Sequence, residues 1–252
     1  MAGPENKAYG SWSEAQAAST GYDDPLISDL ALTAALAVRR GEAAFERDTV
    51  LFHSPAHRWQ LLACLASVAA AKGGRLHVAD IGGSFASVYL QHRSFLDAVP
   101  HLTWSIVEQV HIAEIGRAHL QDDRLQFFVD VDEARGLAPI DMAVFSGSFQ
   151  FMPEPYKMLR RIAGTGVSHL LIDRIALMKG DDDWITVYHV HAEIYPASYP
   201  QWMLSEARLI AFLSDELGFH EIARYRDGID GDDHVGLFFA RDPSGRGAQN
   251  GI

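Results

Sequence analysis

A chain of 252 residues with 48% hydrophobic and 10% aromatic side chains holds enough apolar material for one α/β core and a small attached element, which excludes several large domains. Lys and Arg total 21 against 33 Asp and Glu, and the resulting net charge of -12 disfavours nucleic acid and anionic membranes as partners. The single cysteine, Cys64, excludes a disulfide framework or cysteine zinc site and fits a reducing cytoplasm, while no segment reads as a signal peptide or as the roughly 20 apolar residues of a bilayer span.

In chain order, Leu26 to Arg40 carries apolar residues at helical spacing after Asp24-Pro25. A second helix is expected over 55–72, with Ser54 as N-cap, Pro55 in the first turn and Gly73-Gly74 as a left-handed exit. From Arg75 the pattern becomes short apolar runs alternating with helical segments, the signature of a parallel sheet. Expected strands are Leu76 to Asp80, Thr103 to Glu108, Leu125 to Val129, Met142 to Phe145 and His169 to Asp173, with helices after Ser84, Val110 and Pro153. Met203 to Leu217 reads as the last helix. Phe219 to Tyr225 and Val235 to Ala240 then read as an antiparallel hairpin edge joined by an Asp/Gly-rich turn over 227–233. The organisation expected is an N-terminal helical cap over 1–73, an α/β domain over 74–241 and a disordered tail over 242–252.

The sharpest motif is Asp80-Ile81-Gly82-Gly83-Ser84, where a strand ends in a carboxylate and turns through paired glycines into a helix. Glycine lets a ligand approach backbone N–H groups, and a helix N-terminus favours an anionic group such as an amino-acid carboxylate. Asp80 beside it suits an ammonium, and the competing reading is an ordinary βα turn. A dinucleotide fingerprint would place Gly82, Ser84 and Ser87 at its three glycine positions, so a nicotinamide-dependent oxidoreductase is disfavoured. Glu108 and Gln109 close the next strand, where an acid can bond both ribose hydroxyls. Asp130 and Asp132 offer an acceptor to an adenine amino group, with Val129 or Val131 against the ring. Ser146-Gly147 is a small-residue turn facing the same rim, and Phe149 and Gln150 follow it as acceptor contacts.

These residues, with Glu46-Arg47-Asp48, Val107-Glu108-Gln109, Leu171-Ile172-Asp173-Arg174 and Ile194-Tyr195-Pro196-Ala197-Ser198-Tyr199-Pro200, resemble a family of bacterial S-adenosylmethionine-dependent class I methyltransferases often encoded near surface-polysaccharide or secondary-metabolite genes. The resemblance runs from about Tyr9 to Tyr225. It implies a Rossmann-like seven-stranded methyltransferase sheet, mostly parallel with the last strand antiparallel. It also implies S-adenosyl-L-methionine as cofactor, held at Asp80, Gly82, Gly83 and Glu108; the reading that follows is methyl transfer to oxygen or nitrogen of a small-molecule acceptor, a sugar intermediate or natural-product precursor, in biosynthesis. Phe85-Ala86 departs from the pattern, which has another glycine there. The alternative is a non-catalytic S-adenosylmethionine-binding partner of a biosynthetic assembly, and a homodimer is left open.

On the acceptor side, a neutral imidazole in reach would help remove a proton, and the candidates are His189 and His191. In the run Trp184 to His191 they share one face if it is extended, with Tyr188 and Val190 on the other. Arg174 follows Asp173 at a strand end and suits an anionic group on the acceptor, or an ion pair within the protein. Tyr195, Tyr199 and Trp202 are expected to wall the acceptor pocket, with packing of their loop onto the sheet as the competing role. Phe52, His53, His57 and Trp59 are expected near the cleft, beneath N-terminal helices resembling those that cap it in many methyltransferases. Asp181-Asp182-Asp183 reads as a solvated turn, so no metal is expected.

Overall fold

The computed structural model describes residues 3–21, 25–191, 193–226 and 234–242; the expected turn over 227–233 and the tail beyond 242 lie outside them. The chain opens with β1 (Gly3–Pro4), α1 (Trp12–Ala17) and α2 (Pro25–Arg39), followed by a hairpin of β2 (Phe45–Arg47) and β3 (Val50–Phe52), then α3 (Trp59–Ala71). The alternating part is β4 (Arg75–Ile81), α4 (Ser87–Leu96), β5 (His101–Val107), α5 (Val110–His119), β6 (Leu125–Phe128), α6 (Val131–Leu137), β7 (Met142–Ser146), α7 (Pro155–Gly164) and β8 (His169–Met178). It closes with β9 (Trp184–His189), β10 (Ser198–Ser205), α8 (Glu206–Ala211), β11 (His220–Tyr225) and β12 (His234–Ala240).

The central sheet runs β6-β5-β4-β7-β8-β12-β11, parallel from β6 to β8, with β12 antiparallel between β8 and β11. This is the mixed, mostly parallel sheet with an antiparallel last strand that the family resemblance implied. Both faces are covered, as parallel strands require. Side chains therefore alternate between two cores: Leu76, Val78 and Trp104 pack on one face with Leu61 and Leu65 of α3, while Ala79, Ile81 and Phe145 pack on the other with Leu159 and Ile162 of α7. Helix α3 thus belongs to a sandwich layer rather than to a separate cap. No helix among the described residues is long and apolar enough to cross a membrane.

Two elements depart from the sequence pattern. Helix α3 begins at Trp59, four residues after Pro55, because Arg58 is drawn into a buried ion pair with Asp173 and no side chain caps the helix. Met203 to Ser205 is strand rather than helix: Gln201, Trp202 and Met203 pair with β9, and the Ser205 hydroxyl then accepts from Arg208 N at 3.3 Å to start α8. β10 also pairs in parallel with Leu177 and Met178 at the far end of β8, and β9 and β1 extend that edge. The sheet therefore branches at the end of β8: Ile175 and Ala176 still pair with β12, and only Leu177 and Met178 pair with β10. Arg174, one residue past the end of the β7 ladder, has φ of 58°, the left-handed region that costs a side-chain-bearing residue on the order of 1 kcal/mol or more.

Candidate functional site

The carboxyl ends of β4, β7 and β8 open into a cleft of about 330 Å³. This is where an open α/β sheet binds ligands. Its floor is the β4 terminus. Asp80 is 1% exposed, its Oδ2 accepts from Trp104 Nε1 at 3.1 Å, and its Oδ1 has no partner. Burial pushes its carboxyl up to about 7, with the Trp104 hydrogen bond opposing and nearby Glu108 adding.

Gly82 turns the chain at φ of 72°, and a Cβ there would lie 2.6 Å from Ser148 Cβ. A Cβ on Gly83 would lie 2.7 Å from the Asp80 carboxyl carbon, so any side chain would displace the acid. Ser84 and Ala86 adopt φ of 49° and 68°, left-handed positions filled without glycine. α4 then starts with no side-chain cap on its first amides. Glu108 closes the rim: Oε1 accepts from Ser84 N at 3.0 Å and Oε2 from Gln109 N at 2.8 Å, while burial raises its carboxyl against those bonds.

The β2–β3 hairpin lies over the start of α4. Glu46, 7% exposed, accepts from the Ser87 hydroxyl and from Thr49 N, and burial raises its carboxyl too. Arg58, 3% exposed, pairs with Asp173 and donates to Ser146 Oγ at 2.8 Å. Asp173 also accepts from Ser146 Oγ at 3.1 Å and from Tyr225 OH at 3.0 Å, so this buried charge is fully engaged. Arg174 reaches over Gly147, whose absent Cβ would stand 3.4 Å from its Nη1.

The opposite wall comes from the short helical turn Phe149–Phe151 and from β9, β10 and β12. Phe151 packs edge-on against Tyr199 and Tyr188, and those two rings lie 5.6 Å apart at 20°. Gln150 Oε1, Gln201 Oε1 and His234 Nδ1 all belong to residues lining the cleft, are buried, and have no hydrogen-bond partner.

Of the residues expected from sequence, the cleft is lined by Asp80, Gly82, Gly83, Ser84, Ser146, Gly147, Gln150, Arg174, His191, Tyr195 and Tyr199. Glu108 and Gln109 stand at the rim beside it. Asp130 caps α6 by accepting from Asp132 N at 2.8 Å and pairs with Arg161, and Val131 is buried under α6, so of the two valines only Val129 presents an exposed surface. His189 is a correction. The alternation in β9 holds, but Tyr188 and Val190 face the cleft, while His189 bonds Glu5 Oε1 at 2.7 Å and pairs with β1. His191 lines the cleft because β9 ends at His189.

Phe149 is corrected as well: it is 1% exposed and packs on Phe145 in the core. Trp202 turns away, stacking on Trp12 and donating Nε1 to Met152 O at 3.1 Å. Phe52, His53, His57 and Trp59 do not line the cleft; His57 and Trp59 pack with Phe95 on the outer surface of α4. Asp183 holds Tyr156 OH and Ser205 N, and no acidic, histidine or cysteine cluster suited to a metal occurs among the described residues. Arg58, Phe151, Tyr188, Gln201 and His234 were missed. Only Tyr188 had a signal, the second face of its alternating run.

No family model matches the chain, and neither does any curated protein. Among solved structures, the chain is similar to the N-terminal domain of EvdMO1 in the presence of SAH and D-fucose, at 14% identity and TM-score 0.48 over 81% of this chain and 94% of that one. It is similar to the Burkholderia thailandensis 1,6-didemethyltoxoflavin-N1-methyltransferase, at 17% and 0.46 over 94% and 93%. It is also similar to the mitomycin 7-O-methyltransferase MmcR, at 20% and 0.45 over 86% and 68%. Likeness at this level carries no argument about chemistry, which rests on the side chains of the cleft.

Proposed function

We propose that the chain is a cytoplasmic S-adenosylmethionine-dependent methyltransferase acting on oxygen or nitrogen of a small-molecule acceptor in biosynthesis. The observation that carries this reading is the buried, unpartnered Oδ1 of Asp80 beside Gly82 and Gly83, with Glu108 adding a second acid at the same rim. A buried carboxyl whose proton affinity is raised by burial and by a neighbouring acid calls for a cationic ligand, and S-adenosylmethionine supplies an ammonium and an electrophilic methyl on a sulfonium.

In this reading Asp80 holds the ammonium, and the start of α4 takes the amino-acid carboxylate. Glu108 keeps a lone pair on each oxygen after accepting from Ser84 and Gln109, enough for two ribose hydroxyls. Val129, 37% exposed, offers an apolar surface to the base. Ser146 and Gly147 leave room between the two halves of the cleft, where aligning the acceptor and excluding water are the main catalytic tasks. His234 Nδ1 or the His191 ring receives the acceptor's proton.

Calorimetry of the purified protein tests this. S-adenosylhomocysteine should bind and NAD should not, and Glu108→Ala should abolish binding with its melting transition retained. A protein that takes NAD, or that ignores S-adenosylhomocysteine, overturns the proposal. A non-catalytic donor-binding protein would bind S-adenosylhomocysteine equally well and turn over no acceptor.

A further inference from the structure

Gln150 is 5% exposed and Gln201 is 7% exposed; both line the cleft, and each leaves its amide oxygen without a partner among the described residues. The Gln150 amide is oriented by its own geometry: Nε2 donates to Arg174 O at 3.4 Å, which turns Oε1 away from that carbonyl. A buried acceptor left unpaired costs about 1–3 kcal/mol. Two of them in the lining of one cleft, together with His234 Nδ1, form a set that a ligand would satisfy.

An amide oxygen accepts and never donates, so it repels a carboxylate, phosphate or carbonyl and rewards an O–H or N–H. The same cleft is lined by the packed rings of Phe151, Tyr188 and Tyr199, which offer apolar surface to a ring-shaped ligand. From this wall we propose that the acceptor is a ring compound presenting at least two free hydroxyl groups, bound through Gln150 Oε1 and Gln201 Oε1. This rests on the methyltransferase reading for the word acceptor, but the binding site itself stands without it. The ring is either a pyranose or a catechol, since both carry the same donors.

The probes are D-galactose and catechol, each titrated by calorimetry against the protein with and without saturating S-adenosylhomocysteine, beside their fully O-methylated forms. One of the two hydroxyl probes should bind in the millimolar range or tighter, and which one identifies the ring. Its O-methylated form should bind at least roughly tenfold more weakly, because the donors are gone. Gln150→Leu and Gln201→Leu should each lose about tenfold for the probe while keeping S-adenosylhomocysteine affinity within about twofold. The inference is overturned if neither hydroxyl probe binds, if the O-methylated forms bind as well, or if folded leucine variants bind like wild type. Should S-adenosylhomocysteine fail to bind, the function proposal falls alone, and the titrations without it still decide the hydroxyl site. Should a leucine variant not fold, the wild-type comparison of free and O-methylated probes decides it.

Discussion

The floor of the cleft takes its polar groups from one short stretch, Asp80 to Ser84, with Glu108 one strand away, whereas the wall opposite draws Gln150, Tyr188, Gln201 and His234 from four separate elements. The floor is held by covalent neighbours: Gly83 has to lack a side chain because Asp80 is three residues before it. The wall is held by the branching of β8, which pairs with β12 as far as Ala176 and with β10 at Leu177 and Met178. A site half local and half assembled divides the work sensibly. In the proposed function, the half assigned to the methyl donor is encoded in a motif, and the half assigned to the acceptor is built from β9, β10 and β12.

Arg58 ties the ends of β7 and β8 together beneath the cleft, and removing it is the largest perturbation expected. It neutralises Asp173 of β8 and donates to Ser146 of β7, all inside the protein. Arg58→Leu removes the guanidinium that pairs with the buried Asp173, and breaking such a pair costs on the order of 3–5 kcal/mol. Urea denaturation should show that loss. If stability stays within about 1 kcal/mol of wild type, the pair is not what holds the β7 and β8 ends together.

A smaller effect isolates the floor. Asp80→Asn keeps the shape and the Trp104 partner atom but removes the charge an ammonium needs, and a charge-assisted hydrogen bond of about 1.5–3 kcal/mol predicts roughly tenfold to a hundredfold weaker S-adenosylhomocysteine binding. The pH dependence sharpens this. Because burial raises the Asp80 carboxyl from its ordinary 3.8 to about 7, the ligand-free fold favours the protonated acid. Its stabilising contribution is therefore complete below 3.8 and is lost as pH rises through about 7. Ligand affinity runs the other way, weakening as pH falls below about 7 and the carboxylate disappears. Melting and calorimetry across that window should show the two opposed slopes, and both should flatten in Asp80→Asn. A pH-independent affinity would remove Asp80 from the ligand's contacts.

The same division explains which parts were legible in the sequence. Asp80-Ile81-Gly82-Gly83 announced itself because strand end, acid and glycines are adjacent, and the sheet followed from the alternation of apolar runs with helical segments. In β9 the period of two was readable but not which face would be covered. That was decided by β1, which supplies Glu5 to His189 and leaves Tyr188 to the cleft. Trp202 and Phe149 carried the right chemistry for a pocket and were claimed by packing, on Trp12 and Phe145. Arg58 looked like the inside of a helix, because nothing local to it says that Asp173 lies above. Asp130 matched its expected chemistry in type, but Arg161 and the α6 cap now occupy its carboxylate.

The smallest prediction asks what the floor gives up by departing from glycine. Ser84 adopts φ of 49° with its side chain partly exposed, and its backbone N–H is already committed to Glu108 Oε1. A left-handed conformation costs a residue with a Cβ roughly 1–2 kcal/mol, and glycine recovers part of that while losing about 1 kcal/mol of chain freedom on folding. Ser84→Gly should therefore gain about 0.5 kcal/mol in urea denaturation and leave the hydrogen bond to Glu108 in place. The bond to Glu108 runs through the Ser84 backbone and not its hydroxyl, so S-adenosylhomocysteine affinity should stay within about twofold. A large loss of affinity instead would mean that the hydroxyl itself touches the ligand. The floor would then depend on side-chain chemistry as the wall does, and its contrast with the wall would narrow to how each is assembled.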